Sequence, residues 1–272
     1  PKELKNVKEE FQGNFEGIGS QIDVISGVLT IVTPVPGSPS EKMGILGGDK
    51  VIKINDVLTK GITVDEAVSK LRGPKGTAVH LSLQRHGVDG LLEFNIIRDK
   101  IPVYSVDAKF MLDHTTGYIR FVRFAETTSD EIEQALQELE AKGMKQLVLD
   151  LRNNGGGYLE QAKAIVDKFL PGGKKIVYTK GRLDNSSQEY FSSVKSVYRK
   201  MPLIILINRG SASASEIVAG GLQDLDRAVI VGDQSTFGKG TVQTILEIGR
   251  FTSLLGTRSQ DDGALKLTIQ KF

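Results

Sequence analysis

From about Phe15 to Arg98 the apolar positions fall in short β-branched runs, VLTIV, KVIKIND, AVHLSLQR and LEFNIIR, separated by Gly, Pro and Asn. This punctuation predicts a small β-rich unit, with one stretch of helical spacing from Thr63 to Leu71. After Arg98 the period changes. Strand-like GYIRFVRF, QLVLDLR, KIVYT, LIILIN and AVIVG alternate with helical stretches at Ser129 to Lys142, Leu159 to Leu170 and Ala214 to Leu225, the pattern of a layered α/β unit. QLVLDLR and LIILIN are nearly unbroken apolar runs, as expected of strands covered on both faces, and each leads through a glycine-bearing loop toward a helix. Chemistry is expected at those two loops. The chain closes on ALKLTIQKF, which alternates like a strand, and opens on a segment with Leu4, Val7 and Phe11 at helical spacing.

With 272 residues and 39% hydrophobic content, two cores are the natural expectation. The divisions predicted are a helical segment at 1–13, the β-rich unit at 14–99 and the α/β unit at 100–272. The net charge of +2 comes from 35 basic and 33 acidic residues that are interspersed, so no patch for nucleic acid or a membrane surface is expected. The absence of cysteine removes disulfides, thiolate metal sites and cysteine nucleophiles together. No apolar run approaches the roughly 18 residues of a membrane helix. The opening PKELKNVKEE is neither a methionine start nor a signal sequence, and ALKLTIQKF stops without a polar tail, so native sequence is expected to be missing at both ends.

The first loop, LRNNGGGYLE, sets Gly155, Gly156 and Gly157 between a strand and a helix, leaving N–H groups free for an anion, either a phosphate or a transient oxyanion. A Walker-type loop needs a Lys-Ser or Lys-Thr pair after the glycines, and a dinucleotide fingerprint needs spaced glycines; neither is present. The second loop, NRGSASASEIVAGGLQD, carries Ser211, Ser213 and Ser215 at alternate positions. The plain reading of such serines is helix capping, with Glu216 in the first turn favouring the macrodipole. Capping, however, needs one serine and not three. A serine nucleophile also needs a base, and His80, His86 and His114 all lie far upstream. The remaining candidate is Lys239 in STFGKGTVQ, just beyond AVIVG, which reads as a buried strand; a lysine drawn out of solvent there loses its charge and becomes a base.

In the β-rich unit, GSPSEKMGILGGDKVIKINDV has a serine–proline helix start, closing glycines and then a half-buried strand, and it closely resembles the PDZ signature. PDZ domains add a peptide C-terminus to a sheet edge while N–H groups of a glycine-bearing loop hold its carboxylate. Gly17, Ile18, Gly19 and Ser20 stand where that loop is expected. Taken together, GSASASEIVAGGLQD, FGKGTVQ, LDLRNNGGG and a PDZ domain ahead of them resemble the carboxy-terminal processing (tail-specific) serine proteases over nearly the whole chain.

The resemblance implies an α/β core of crotonase/ClpP-like layered β-α repeats plus a small β-rich PDZ domain. It implies Ser213 as nucleophile, Lys239 as general base and Gln243 as the partner that orients the lysine. The oxyanion hole maps onto the N–H groups of Ala214 and Gly157, with Gly156 as the alternative, and Asp224 onto a supporting carboxylate. It further implies a serine endopeptidase with no metal or cofactor, acting near the C-termini of unstructured proteins or peptides. Their apolar tails would be held by the PDZ domain, which also gates activity, in the bacterial cell envelope, periplasmic or exported. A homo-oligomer or a regulatory partner stays open. GDQSTFGKG is one residue longer than the usual family pattern, and the chain stops where the pattern continues after LKLT. Two further readings remain: a PDZ adaptor whose serines only cap a helix, and a crotonase-like acyl-thioester site, which leaves Lys239 unused.

Overall fold

The computed structural model describes residues 9, 11–182, 187–193, 197–233, 235–247 and 264–272. They form two compact units, Asn14–Val103 and Tyr104–Phe272, the second including the described residues before Asn14. The division thus falls between Val103 and Tyr104 rather than between 99 and 100, because the strand that closes the smaller unit runs on past Asp99. Phe11 is part of the larger unit: its carbonyl accepts from the Glu126 N–H at 3.0 Å and its ring meets Tyr158 edge-on, centroids 5.0 Å apart. Leu4 and Val7 lie outside the described residues.

In the smaller unit, β1 (Asn14–Gly17) pairs antiparallel with β8 (Asp99–Pro102). An antiparallel sheet runs in the order β2 (Ser20–Ile25), β3 (Val28–Pro34), β4 (Lys50–Ile54), β6 (Ala78–Gln84), β7 (Leu92–Ile97), with β5 (Val57–Leu58) attached to β4. β2 is therefore an edge strand. Two helices complete the unit, the short α1 (Pro39–Lys42) and α2 (Val64–Leu71). Alternate residues of the sheet, among them Ile31, Val51, Leu81 and Leu83, pack with Ala67 and Leu71 of α2 into one core. α2 is held at both ends. Thr63 and Glu66 form a reciprocal capping box at its start. At its end the buried Arg98 guanidinium donates to the Lys70 carbonyl at 2.8 Å, the Leu71 carbonyl at 3.0 Å and, on β6, the Ala78 carbonyl at 2.9 Å. A cation there satisfies carbonyls that have no partner within the helix.

The larger unit contains β9 (Val106–Met111), β10 (Thr116–Phe121), α3 (Thr128–Ala141), β11 (Gln146–Asp150), α4 (Leu159–Asp167), β12 (Lys175–Gly181), β13 (Gln188–Phe191), β14 (Leu203–Ile207), α5 (Ala214–Asp224), β15 (Val229–Gly232), β16 (Thr241–Glu247) and β17 (Ala264–Lys271). One sheet has the order β15-β14-β11-β10-β9, parallel except for β9, and the other the order β13-β12-β17-β16, antiparallel. Leu147, Leu149, Leu203 and Ile205 pack against Ile132 and Leu136 of α3, Ile165 of α4 and Val218 and Leu222 of α5. Burying each such side chain stabilises by about 1.5–3 kcal/mol.

Two expectations about strands are corrected. β11 and β14 are not covered along their whole length on both faces: apart from Asp150, buried at the end of β11, their other residues are half-buried, like Val148, or exposed, like Ile204 at 39%, because the helices' core lies on one face only. AVIVG is not a buried strand either, since β15 is an edge with Val229 62% and Val231 46% exposed. Register nevertheless does the main work for the site. Leu149 and Asp150 lie beside Ile205 and Leu206, so the loops that follow β11 and β14 leave the sheet side by side.

Candidate active site

The first loop starts from a fixed base. Asp150, fully buried, accepts from the Tyr118 hydroxyl at 2.6 Å and from two nitrogens of the Arg152 guanidinium at 2.6 and 3.0 Å. Burial pushes its carboxyl up, but the Arg152 and Tyr118 donors outweigh burial and hold it below the usual carboxylate range. Beyond it, Asn153 takes a left-handed backbone (φ 61°) and exchanges hydrogen bonds with the second loop, its N–H to Asn208 Oδ1 and Asn208 Nδ2 to its own Oδ1, both at 2.9 Å.

The three serines of the second loop divide the labour. Ser211 and Ser215 are fully buried. The Ser211 hydroxyl donates to the Leu151 carbonyl at 2.8 Å and accepts from the Asn208 N–H at 3.0 Å, while the Ser215 hydroxyl donates to the Asn154 carbonyl at 2.9 Å. Both lock the second loop onto the first. Ser213, between them, is half-buried at a strand–turn–helix junction with φ 56° and ψ −112°. A non-glycine residue there is strained, a state that surrounding bonds must over-determine. The serine of a nucleophile elbow occupies the same kind of turn.

Gly156 lies directly against this turn. A Cβ on it would stand 2.8 Å from Ser213 Cβ and 2.7 Å from the Ala212 carbonyl, at φ 97°, so only glycine fits. Its N–H donates to Asn154 Oδ1 at 3.0 Å and its carbonyl accepts from the Phe124 N–H, also at 3.0 Å. The N–H of a trans peptide points away from the preceding carbonyl, so the Gly157 N–H is directed away from Phe124. Among the described residues neither it nor the Ala214 N–H, in the first turn of α5, finds an acceptor.

Glu216 connects this turn with the lysine. Its Oε2 accepts from the Ser213 N–H at 2.7 Å and the Lys239 N–H at 2.9 Å; its Oε1 accepts from the Thr236 hydroxyl at 2.7 Å and the Gly238 N–H at 2.6 Å. Burial pushes its carboxyl up, yet these four donors together hold it below its ordinary value. The loop is held a second time by the Phe237 N–H, which donates to the Ser211 carbonyl at 3.0 Å. Lys239 is thus brought by its backbone to the Ser213 turn, half-buried. Among the described residues no hydrogen bond joins its Nζ to Ser213 Oγ.

Two sequence-predicted residues stand elsewhere. Gln243, on β16, lies opposite Thr268, and its Nε2 reaches Thr268 Oγ1 at 3.5 Å rather than Lys239. Asp224 is exposed at the C-terminal end of α5, a poor position for a carboxylate near the negative helix pole, and among the described residues it has no hydrogen-bond or ion-pair partner. Sequence reasoning missed Asn154, Asn208 and the bridging role of Glu216. The signal for the last was the fit of Glu216 to a capping position, which concealed its longer reach. No cluster of metal-ligating side chains occurs among the described residues.

In the smaller unit, the loop predicted for a peptide carboxylate uses a related device. The Ile18 carbonyl accepts from the Ser40 N–H at 3.0 Å and hydroxyl at 2.8 Å, and the Gly19 carbonyl from the Val35 N–H at 2.8 Å and the Ser38 hydroxyl at 2.9 Å. Among the described residues the Ile18 and Gly19 N–H groups have no acceptor. Gly19 has φ 75°, and a Cβ there would overlap Ser38. Ser20 begins the edge strand β2, and between β2 and α2 lies a cavity of about 80 Å³ walled by Phe15, Ile18, Ile22, Val68, Leu71 and Arg72.

Comparison with known proteins gives three consistent findings. Residues 115–272 match the model of peptidase family S41, and residues 30–85 match a PDZ domain. The chain is 40% identical over 275 residues to a carboxy-terminal-processing protease of Bartonella bacilliformis, covering all of this chain and 60% of that one. It is also 40% identical over 272 residues to the carboxy-terminal processing protease CtpA of Bacillus subtilis, again over its whole length and 55% of the relative's. Among solved structures, the photosystem II D1 C-terminal processing protease aligns with TM-score 0.51 and 28% identity, over all of this chain and 70% of that one. The chain thus spans little more than half the length of the two bacterial relatives.

Proposed function

The chain belongs to peptidase family S41 and carries a PDZ domain, and from that premise we propose that it is a serine endopeptidase working through Ser213 and Lys239. The observation that carries the reading is the Glu216 carboxylate, which binds the strained Ser213 turn and the backbone of Lys239 at once, at 2.7 and 2.9 Å. Neutral Lys239 takes the Ser213 hydroxyl proton as Oγ attacks the scissile carbonyl. The developing oxyanion is met by the Ala214 and Gly157 N–H groups. Collapse breaks the C–N bond, the Lys239 ammonium returns its proton to the leaving amine, and an acyl-Ser213 ester remains. Water, deprotonated by Lys239, then hydrolyses that ester.

The substrates in this reading are unstructured C-termini with apolar tails. The tail adds to the edge of β2, its carboxylate at the Ile18 and Gly19 N–H groups and its last side chain in the adjoining apolar cavity. Lys239 Nζ and Gln243 both have to close up before the chemistry, Gln243 by leaving Thr268. Coupling of that closure to tail capture is the gate. The repeats from β10 to β15, with their core on one face of the sheet, support a crotonase/ClpP-like core. Resemblance to bacterial relatives favours an exported or periplasmic protein. No helix among the described residues is long and apolar enough to cross a membrane.

The test is cleavage of an unstructured peptide with a free apolar C-terminus and of its C-amidated twin, by this chain and by Ser213→Ala and Lys239→Ala. The expected result is cleavage by the unmodified chain alone, slowed by amidation. Variants that cut as well as the parent overturn the dyad. Binding of the peptide without any cleavage would leave a PDZ adaptor.

A further inference from the structure

We propose that Asn154 is the positioning residue of the oxyanion hole, the group that decides which glycine N–H faces the reacting carbonyl; this rests on the reading of Ser213 as nucleophile. Asn154 is fully buried and all of its polar groups are engaged. Its Nδ2 donates to the Phe121 carbonyl at 2.9 Å, at the end of β10. Its Oδ1 accepts from the Gly156 N–H at 3.0 Å. Its own N–H donates to the Leu151 carbonyl at 3.1 Å, and its carbonyl accepts from the Ala212 N–H at 3.0 Å and the Ser215 hydroxyl at 2.9 Å. One residue therefore joins the end of β10, the glycine loop and the turn that carries Ser213.

Of the three consecutive glycines, Gly156 is the one packed on Ser213 Cβ, and its N–H would otherwise compete for the site. Asn154 Oδ1 removes it from that competition. With the Gly156 N–H held on one side and its carbonyl held by Phe124, the Gly156–Gly157 peptide has one orientation, and the Gly157 N–H is the donor left over. The task requires a donor and an acceptor on one short side chain. A carboxylate at the same position would set an oxygen against the Phe121 carbonyl, where the amide now donates, unless it carried a proton.

The experiment compares Asn154→Asp and Asn154→Ala with the parent and with Ser213→Ala, in the full chain. Three quantities are read: kcat and KM on the free-tail peptide, affinity for a peptide boronate that forms a tetrahedral adduct on Ser213, and thermal unfolding. Losing one oxyanion donor costs about 100–1,000-fold in kcat. We expect a loss of that order for both variants at pH 8, KM within about twofold, and boronate affinity falling in parallel. The Asn154→Asp variant should regain activity relative to the parent as pH falls, because the protonated acid can again donate to Phe121. A folded variant that keeps its kcat, or loses kcat without losing boronate affinity, overturns the proposal. If the variants do not fold, the structure of the parent's boronate adduct decides: an adduct oxygen bound by the Gly156 N–H overturns it, and one bound by the Gly157 N–H upholds it. A Ser213→Ala chain that still cleaves would instead sink the underlying reading.

Discussion

Each unit of this chain contains a glycine-bearing loop whose carbonyls are tied inward, leaving peptide N–H groups directed outward. At Ile18 and Gly19 the ties come from Ser38, Ser40 and Val35, all within or just before the short helix α1. At Gly156 the carbonyl is tied by the Phe124 N–H while Asn154 Oδ1 takes the Gly156 N–H, leaving that of Gly157, and the neighbouring turn is strained at Ser213 and joined across 23 residues to Lys239 by Glu216. The first loop is suited to a charge that is already present, a carboxylate. On the proposed reading the second is suited to a charge that exists only during reaction, and it alone has the strained Ser213 turn and the Lys239 loop beside it. Binding needs only the N–H groups; catalysis needs them in register with a reacting atom.

Exchanging glycine for alanine breaks the two loops separately. Gly156→Ala forces a Cβ against Ser213 Cβ and the Ala212 carbonyl, and should lower kcat by at least about 100-fold while calorimetry finds tail-peptide binding unchanged. Gly19→Ala, with its Cβ overlapping Ser38, should abolish measurable tail binding and raise KM with a much smaller effect on kcat. If either substitution moves both quantities equally, the separation of roles is wrong.

Glu216→Gln sharpens the contrast, since it removes the charge that four donors share. Charged hydrogen bonds contribute about 1.5–3 kcal/mol each, so a loss of roughly that size in unfolding free energy and a tenfold or larger drop in kcat are expected. Because the folded-state pKa of Glu216 is depressed, its contribution is complete above the ordinary glutamate value near pH 4.3 and is lost as pH falls through the lower folded value. The Gln variant should lack that acid limb in a plot of stability against pH; an unchanged limb would remove Glu216 from the account. Arg98→Met loosens the C-terminal end of α2 beside the tail groove and should weaken tail binding about tenfold, on the order of one lost charged hydrogen bond, with kcat at saturating peptide preserved. Asp224→Asn should shift neither kcat nor KM by more than about twofold, as for an exposed side chain with no partner among the described residues.

The alternation of strand and helix after Arg98, the two glycine loops and the serine turn were all legible because they depend on local pattern and on residues close in sequence. Glu216 shows where that legibility stops. At the third position of a helix it fits a cap, and nothing near it announces the Thr236–Lys239 loop as a second set of donors. β15 looked buried because its apolar residues are continuous, although an edge strand can carry the same run. Gln243 and Asp224 were placed by resemblance, and side-chain direction is beyond what spacing can fix. Asn154 and Asn208 went unread since asparagine in a glycine-rich loop is common turn chemistry.

The sheet order β15-β14-β11-β10-β9 adds each parallel strand at the same edge, so every strand after β10 must wait for a crossover helix to dock. Long-range parallel pairing of this kind is slow to form. The Ser213 turn and the loops tied to it draw on Phe121, Asn154 and Lys239, which span most of the larger unit. On the reading of Ser213 as nucleophile, hydrolysis would have to wait until every strand and loop that carries these residues is in place, and the order of folding itself would serve as a safeguard.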